Sequence, residues 1–162
     1  MHKKTAVISR RLAHSDYIYA LMKSCDSRYS KCLYFASSAL SRKVEKLASE
    51  CWQPAGLSPS HGYLLMLAIE EPGVHPSALG EQLQLTPSTI TRLIEKLEEK
   101  QLVLRISEGK ATSVFATPKG KDMLDLLKDC SHQFYVKYSQ ILGEEKSAAL
   151  TASMCSVADQ LG

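Results

Sequence analysis

A serine or threonine stands directly before a proline at three places in this chain: Ser58-Pro59, Thr86-Pro87 and Thr117-Pro118. Serine and threonine favour the N-cap position of a helix. Proline favours the first helical position, because its missing N–H would have no partner there. Apolar residues at helical spacing follow each pair. The three pairs therefore predict three helix starts.

The second of these helices follows another helical pattern closely. Residues 76–83 place apolar side chains at helical spacing and end just before Thr86. Two helices joined by so short a turn have the spacing of a helix-turn-helix. Beyond residue 100, "VLRI" and "SVFAT" are β-rich runs separated by "SEGKA", which contains glycine. This pattern predicts a β-hairpin directly after the tandem helices.

The helix predicted over roughly residues 87–100 has a distinct polar side. Its buried stripe is predicted to be Ile90, Leu93, Ile94 and Leu97. The opposite side is centred on Ser88, Arg92, Glu95 and Glu99. Small polar residues therefore come first on this helix, and the acidic residues come later.

That order suits a helix whose N-terminal end enters the DNA major groove. The second helix of a helix-turn-helix contacts base edges with its first residues, and an arginine can bind a guanine edge or a phosphate. The acidic end would then leave the groove. The candidate DNA contacts are Thr86, Pro87, Ser88, Thr89, Thr91, Arg92 and Lys96 in the helix, and Arg105 and Lys110 in the hairpin.

Composition excludes several other classes of protein. The net charge of +3 is only a weak indication of an anionic partner, and residues 57–120 are not basic overall. No apolar run approaches the roughly 20 residues that span a bilayer, so we expect a soluble, cytoplasmic protein. Five widely spaced cysteines without a CxxC motif favour free thiols over a disulfide framework or a zinc site.

The sequence also argues against catalysis. It contains no G-x-S-x-G, no phosphate-binding loop and no H-E-x-x-H. We therefore expect no enzymatic activity, no cofactor and no metal site.

Long amphipathic helices are predicted at both ends. The first runs from about Ser30 to Trp52, with an apolar stripe at Leu33, Ala36, Leu40, Val44, Leu47 and Cys51. The helix that starts at Pro118 is predicted to run to about Leu142, and a last helix covers Glu144 to Leu161. So much apolar surface exceeds what one small domain can cover, which indicates a homodimer. The alternative is that the terminal helices pack on their own chain.

The stretch from Ser88 to Arg105 resembles the MarR family of winged helix-turn-helix transcriptional regulators. The family pattern S-T-x-T-R-L-x-x-x-L-E-x-x-x-L-V-x-R is matched there, and T-P-K-G at Thr117 to Gly120 matches the start of the helix after the wing. The resemblance covers roughly residues 30–162. It implies a mainly α fold with a small β-hairpin wing (α+β), and a helical dimerisation region formed by both chain ends.

The same resemblance implies a function. It implies a homodimer that binds a palindromic operator in double-stranded DNA, usually a repressor that a small ligand or an oxidant releases. One departure concerns the wing, because "RISEGKATSVF" lacks the Asp-x-Arg motif that family wings often carry at the tip. Contact with the minor groove would then depend on Arg105 and Lys110.

On this basis the chain divides into four predicted segments. Residues 1–29 form a partly helical N-terminal extension, and residues 30–56 form the first dimerisation helix. Residues 57–117 form the DNA-binding lobe, and residues 118–162 form the C-terminal dimerisation helices.

The releasing signal is less clearly indicated. Tyr63 and Met66 are candidates for an apolar ligand pocket. Cys32 is a candidate redox sensor, because a nearby lysine and a helix start favour the reactive thiolate. Some hydroperoxide-sensing relatives carry a cysteine in a similar place. Cys32 could instead be a small buried residue. The rival function is a winged-helix module that contacts protein rather than DNA.

Overall fold

The computed structural model describes residues 23–109 and 111–161, with the backbone alone at Glu108. The chain divides into two compact units, Met1–Lys46 and Leu47–Gly162. Most of the predicted N-terminal extension, residues 1–22, lies outside the described residues, as does Lys110.

The first unit contains a 3₁₀ turn at Ser24–Asp26 and the beginning of helix α1, Leu33–Trp52. This helix begins later than the predicted Ser30, because the residues before it form tighter turns. The Cys32 N–H donates to the Tyr29 carbonyl three residues back, at 2.9 Å. The ring of Tyr29 stacks on that of Phe35, with 4.7 Å between ring centroids.

The predicted apolar stripe of α1 is buried only towards the C-terminal end of the helix. Cys51 is buried, together with Ala48 and Trp52. Leu33 and Val44, which lie earlier on the same stripe, are 64% and 42% exposed. The repeat of three and four residues located the helix correctly, but the described residues do not cover the whole stripe.

The second unit carries the helix-turn-helix and the hairpin. Its helices are α2 (Pro59–Glu70), α3 (Pro76–Leu83) and α4 (Pro87–Glu99), followed by the strands β1 (Val103–Glu108) and β2 (Ala111–Ala116). The nine largest fully buried side chains belong to one apolar core: Trp52, Leu64, Leu65, Leu79, Ile90, Ile94, Leu97, Val114 and Leu127.

The hairpin is longer than the two predicted runs. β1 and β2 pair antiparallel from Val103↔Ala116 to Glu108↔Ala111. Ser107 and Glu108 therefore belong to β1 and not to the predicted loop. The turn begins at Gly109, whose φ of 61° suits glycine. The backbone of Val74 adds one bridge to Val114 on the other edge of β2. The wing is therefore tied to the segment that leads into α3.

The chain after the hairpin forms two helices where one was predicted. The four-residue helix α5, Pro118–Lys121, precedes α6, Leu124–Leu142. The Met123 N–H donates to the Gly120 carbonyl three residues back, which tightens the turn and ends α5. Gly120 is buried so closely against the Leu102 carbonyl that a Cβ would overlap it. The prediction of one uninterrupted helix is wrong here.

Two of the three predicted N-caps form the expected hydrogen bond. The Thr86 and Thr117 hydroxyls accept the backbone N–H of Thr89 and Gly120, at 3.4 and 3.0 Å. Ser58 lies at the predicted position before α2, but its hydroxyl lies 2.7 Å from Nδ1 of His61 instead of capping the helix.

The last helix, α7 (Glu144–Leu161), is exposed along most of its length. Ser147 is buried near its start and donates to the Gly143 carbonyl at 2.7 Å. Met154, Val157 and Leu161 are 49%, 45% and 74% exposed, although they share one face. In the part of the chain that the structure describes, no helix has the length and apolar character to cross a membrane.

Close packing of α2 against the end of α1 gives a stability prediction. A Cβ at Gly62 would overlap the six-membered ring of Trp52. We expect Gly62→Ala to lower the free energy of unfolding by about 1–3 kcal/mol, although alanine usually favours a helix. Chemical denaturation followed by circular dichroism would measure the change.

A second background isolates the cause. In Trp52→Leu the ring is absent, so Gly62→Ala should cost much less there than in the unmodified chain. Equal costs in both backgrounds would show that the overlap with the ring is not responsible.

Candidate nucleic-acid interface

Helix α4 buries the stripe that its sequence predicts. Ile90, Leu93, Ile94 and Leu97 are each at most 8% exposed. Because a helix repeats every 3.6 residues, burial of this stripe leaves the opposite side in solvent. Ser88, Arg92, Glu95 and Glu99 are all exposed on that side.

The first turn of α4 is a network of hydroxyl groups. The Oγ1 atom of Thr86 lies 3.2 Å from Oγ of Ser88 and 2.9 Å from Oγ1 of Thr89. Thr91, one turn further along, donates its hydroxyl hydrogen to the Pro87 carbonyl at 3.0 Å. Thr86, Pro87, Ser88 and Thr91 are exposed and Thr89 is half-buried. These five of the predicted contact residues therefore form one small and locally ordered surface.

An open groove of about 650 Å³ runs between α3 and the start of α4. Thr86, Pro87 and Thr91 line it from the α4 side, and Ser77 and Gln84 line it from the α3 side. Sequence reasoning missed Ser77 and Gln84. Their presence in the groove depends on how α3 crosses α4, which no local pattern shows.

Gln84 makes the short turn between the two helices. Its backbone is left-handed, with φ 53°, and its side-chain amide donates to the Glu81 carbonyl at 2.8 Å. This bond satisfies a carbonyl at the end of α3. The turn holds α4 in place against α3, as a helix-turn-helix requires.

The basic candidates differ in whether they are paired. Lys96 forms an ion pair with Glu99 at 2.5 Å. Arg105 on β1 forms one with Glu98 at 2.6 Å. Arg92 has no ion pair with any residue that the structure describes. Exposed pairs add little stability, but they reduce the charge that a phosphate would meet. Of the three basic candidates that the structure describes, Arg92 is therefore the most available to an anionic partner.

Glu98 holds the wing to α4, a role that sequence reasoning missed. One of its oxygens accepts the backbone N–H of Arg105 at 3.0 Å, and the other binds the guanidinium. The spacing of an acidic and a basic residue around "QLV" was visible in the sequence. The sequence did not show whether the turn between α4 and β1 would bring Glu98 and Arg105 together.

A second contact holds the wing to α3. His75 lies at the N-cap of α3, and its Nδ1 is 2.9 Å from the Thr112 carbonyl on β2. A carbonyl only accepts, so this nitrogen carries a hydrogen. Together with Glu98, His75 fixes the position of the hairpin relative to the tandem helices.

The two candidate pocket residues are partly buried in the core of the second unit. The Tyr63 hydroxyl lies 3.3 Å from that of Ser131, and its ring centroid is 4.9 Å from the Trp52 ring. Met66 is half-buried and packs against the same core. Neither lines the groove between α3 and α4.

The cysteines fall into two groups. Cys25, Cys32 and Cys155 are exposed, whereas Cys51 and Cys130 are buried. Burial raises the pKa of the Cys130 thiol, which disfavours its thiolate. Cys32 directly precedes α1. Its carbonyl accepts the first backbone hydrogen bond of the helix, from the N–H of Ala36, at 3.0 Å. Within the described ranges, no three histidine, cysteine or acidic residues are grouped to hold a metal ion.

One further histidine lies near the C-terminal end of α4. Burial lowers the pKa of His61, and the charges of Lys100 and Lys96 lower it further. The neutral ring therefore predominates at neutral pH, which suits its hydrogen bond to Ser58. This arrangement stabilises the start of α2 and adds no charge to the surface.

Comparisons with known proteins agree with this geometry. A sequence model of the MarR family matches residues 57–108. The chain is 30% identical over 118 residues to the HTH-type transcriptional regulator SarZ of Staphylococcus epidermidis, a match that covers 70% of this chain and 79% of SarZ.

Solved structures show the same fold. CouR from Rhodococcus jostii RHA1 bound to p-coumaroyl-CoA is 25% identical, with a TM-score of 0.67 over 82% of this chain and 96% of that one. The transcriptional repressor CouR bound to a 23-mer DNA duplex is 20% identical, with a TM-score of 0.72 over 85% and 98%. The predicted fold class is confirmed. Such relatives are regulators rather than enzymes, as the sequence predicted. This chain belongs to the MarR family of winged helix-turn-helix transcriptional regulators.

Proposed function

We propose that this regulator binds a palindromic operator in double-stranded DNA as a homodimer and represses transcription there. The observation that carries the proposal is the start of α4, where small polar side chains precede an exposed Arg92 that has no ion pair among the described residues. The DNA complex of CouR supports the use of this fold on DNA.

The charge distribution along α4 supports entry by its N-terminal end. The helix N-terminus carries free N–H groups and the positive end of the helix dipole, which favour phosphate. Glu98 and Glu99 lie at the other end, and each is paired with a cation. Their charges would be least harmful where the helix leaves the groove.

In this arrangement the wing, formed by β1 and β2, lies beside α4. Arg105 would serve mainly to hold β1 in place, because Glu98 binds both its backbone and its side chain. Lys110, which follows Gly109 in the sequence, stays the other proposed basic contact for the minor groove. Lys96 would contact phosphate only by exchanging its bond to Glu99.

The exposed helices at the chain ends support a dimer. On α7, Met154, Val157 and Leu161 form an apolar face that nothing in the described chain covers. The beginning of α1 also exposes Leu33 and Tyr34. Covering both faces with a second copy would remove this apolar surface from water. We therefore assign dimerisation to residues 30–56 and 118–162, and DNA binding to residues 57–117.

The DNA contact gives the first functional prediction. Arg92→Ala should weaken binding to the operator by about 1–3 kcal/mol, because a bidentate arginine–guanine contact is lost. Fluorescence anisotropy against operator and scrambled DNA, at several salt concentrations, would measure it.

Arg28→Ala is a suitable control, because it removes the same side chain at an exposed residue outside the segments assigned to DNA binding and dimerisation. It should leave operator affinity unchanged. If Arg92→Ala bound the operator as tightly as the unmodified protein, the proposed placement of α4 would be wrong.

The dimer gives the second functional prediction. Met154→Lys should place a charge in the proposed interface and shift the protein towards a monomer, because burying an unpaired charge is costly. Ala152→Lys adds the same charge on the opposite side of α7 and should leave the dimer intact. Light scattering after gel filtration would measure both masses. Equal masses for the two variants would contradict the assignment of this interface.

Release of the operator is proposed to follow binding of a small ligand or oxidation of a thiol. The complex of CouR with p-coumaroyl-CoA supports a ligand, with Tyr63 and Met66 as candidate pocket residues. The exposure of Cys32 at the start of α1 supports the thiol, because an oxidant can reach it. A hydroperoxide would convert its thiolate to a sulfenic acid and leave an alcohol or water.

The thiol route gives the third functional prediction. Mild peroxide should lower the operator affinity of the unmodified protein, reductant should restore it, and Cys32→Ser should not respond. Cys155→Ser, which removes another exposed thiol, should respond as the unmodified protein does. The affinity is measured by anisotropy before and after treatment. A peroxide response that persists in Cys32→Ser would assign the sensor elsewhere, and no response at all would favour the ligand route.

The alternative function is a winged-helix module that binds protein. The exposed wing residues Leu104 and Ile106 favour it, because apolar side chains of this kind suit a protein partner. It predicts no preference for operator over scrambled DNA, and no steep dependence of binding on salt.

A further inference from the structure

The side chain of Thr91 is oriented by its own helix. Its hydroxyl donates to the Pro87 carbonyl at 3.0 Å, one turn earlier. A threonine in a helix has few rotamers, and this bond selects one of them. The hydroxyl hydrogen therefore points into the helix backbone. Towards a partner in the groove, Thr91 offers its methyl group and no hydrogen-bond donor.

The neighbouring hydroxyls are also occupied within the helix. Ser88 and Thr89 both lie within hydrogen-bond distance of Thr86. Pro87, four residues before Thr91, has no N–H, and its ring lines the same groove. Because residues four apart share a helix face, Pro87 and Thr91 form a short apolar strip beside the polar pair Ser88 and Arg92.

One feature of the DNA major groove matches such a strip. The C5-methyl of thymine is the apolar group that base edges present there, and threonine methyls are among the groups that contact it. We propose that Thr91 contacts the C5-methyl of one thymine in each operator half-site through its own methyl group. This inference rests on the proposed binding of DNA by α4, and it assigns Thr91 as a specificity-determining residue.

The test removes one methyl group from each partner in turn. The full-length protein is first used to select binding sites from a random duplex library. Each thymine of the selected half-site is then replaced by deoxyuridine, which lacks only the C5-methyl. Anisotropy titrations compare these duplexes for the unmodified protein and for Thr91→Ser, which keeps the hydroxyl bonded to Pro87 but lacks the methyl.

The expected result is specific to one position. For the unmodified protein, deoxyuridine at one thymine of a single half-site should weaken binding by about fourfold, the value of one buried methyl-sized group. For Thr91→Ser, thymine and deoxyuridine at that position should bind equally. Thr89→Ser is the matched control, because it removes the same group from a residue whose hydroxyl contacts Thr86. It should remain sensitive to deoxyuridine.

Two results would overturn the assignment. One is that no thymine of the selected site is sensitive to deoxyuridine in the unmodified protein. The other is that the sensitivity persists in Thr91→Ser. Both results can be obtained only if the selection yields a preferred site. They would therefore contradict the role of Thr91 while DNA binding itself is retained. If the selection enriches no sequence, the DNA-binding proposal itself fails and the inference falls with it.

Discussion

The burial of one face of α4 is the interaction on which the rest of the proposed DNA-binding surface depends. Ile90, Leu93, Ile94 and Leu97 insert into the core, and each fully buried aliphatic side chain contributes about 1.5–3 kcal/mol. Because the helix is rigid, this packing also determines which residues face solvent. The polar side that begins at Ser88 is therefore oriented by the apolar side.

Smaller contacts hold the neighbouring elements to that helix. Glu98 binds both the backbone and the side chain of Arg105, and His75 binds the Thr112 carbonyl. Gln84 closes the turn before α4 with its left-handed backbone. Each of these polar contacts is individually weak. Together they hold the wing and the first helix in a defined relation to α4, which recognition of a fixed DNA site requires.

The hydroxyl groups on the surface that they frame are engaged with one another or with the helix backbone. Thr86 engages two neighbouring hydroxyls and Thr91 donates to its own backbone, which leaves Arg92 as the unpaired cation of α4 among the described residues. A helix of this kind would read DNA through one arginine and a few methyl groups. Such recognition depends on close contact, because methyl groups act only when they touch.

The sequence by itself determined helices α2 to α4, the hairpin and the outward side of α4. Spacing of apolar residues and Ser/Thr-Pro pairs are local signals, and they located α2 to α4 and the wing correctly. The break between α5 and α6 was not visible, because it is set by the backbone hydrogen bond from the Met123 N–H to the Gly120 carbonyl, which leaves no mark in the spacing of apolar residues. The pairing of Glu98 with Arg105, and the meeting of Ser77 with Thr91 across one groove, were decided by tertiary structure alone. Local patterns show which face of a helix or strand is buried. They do not show which distant residues its exposed face meets, because that depends on the path of the chain between them.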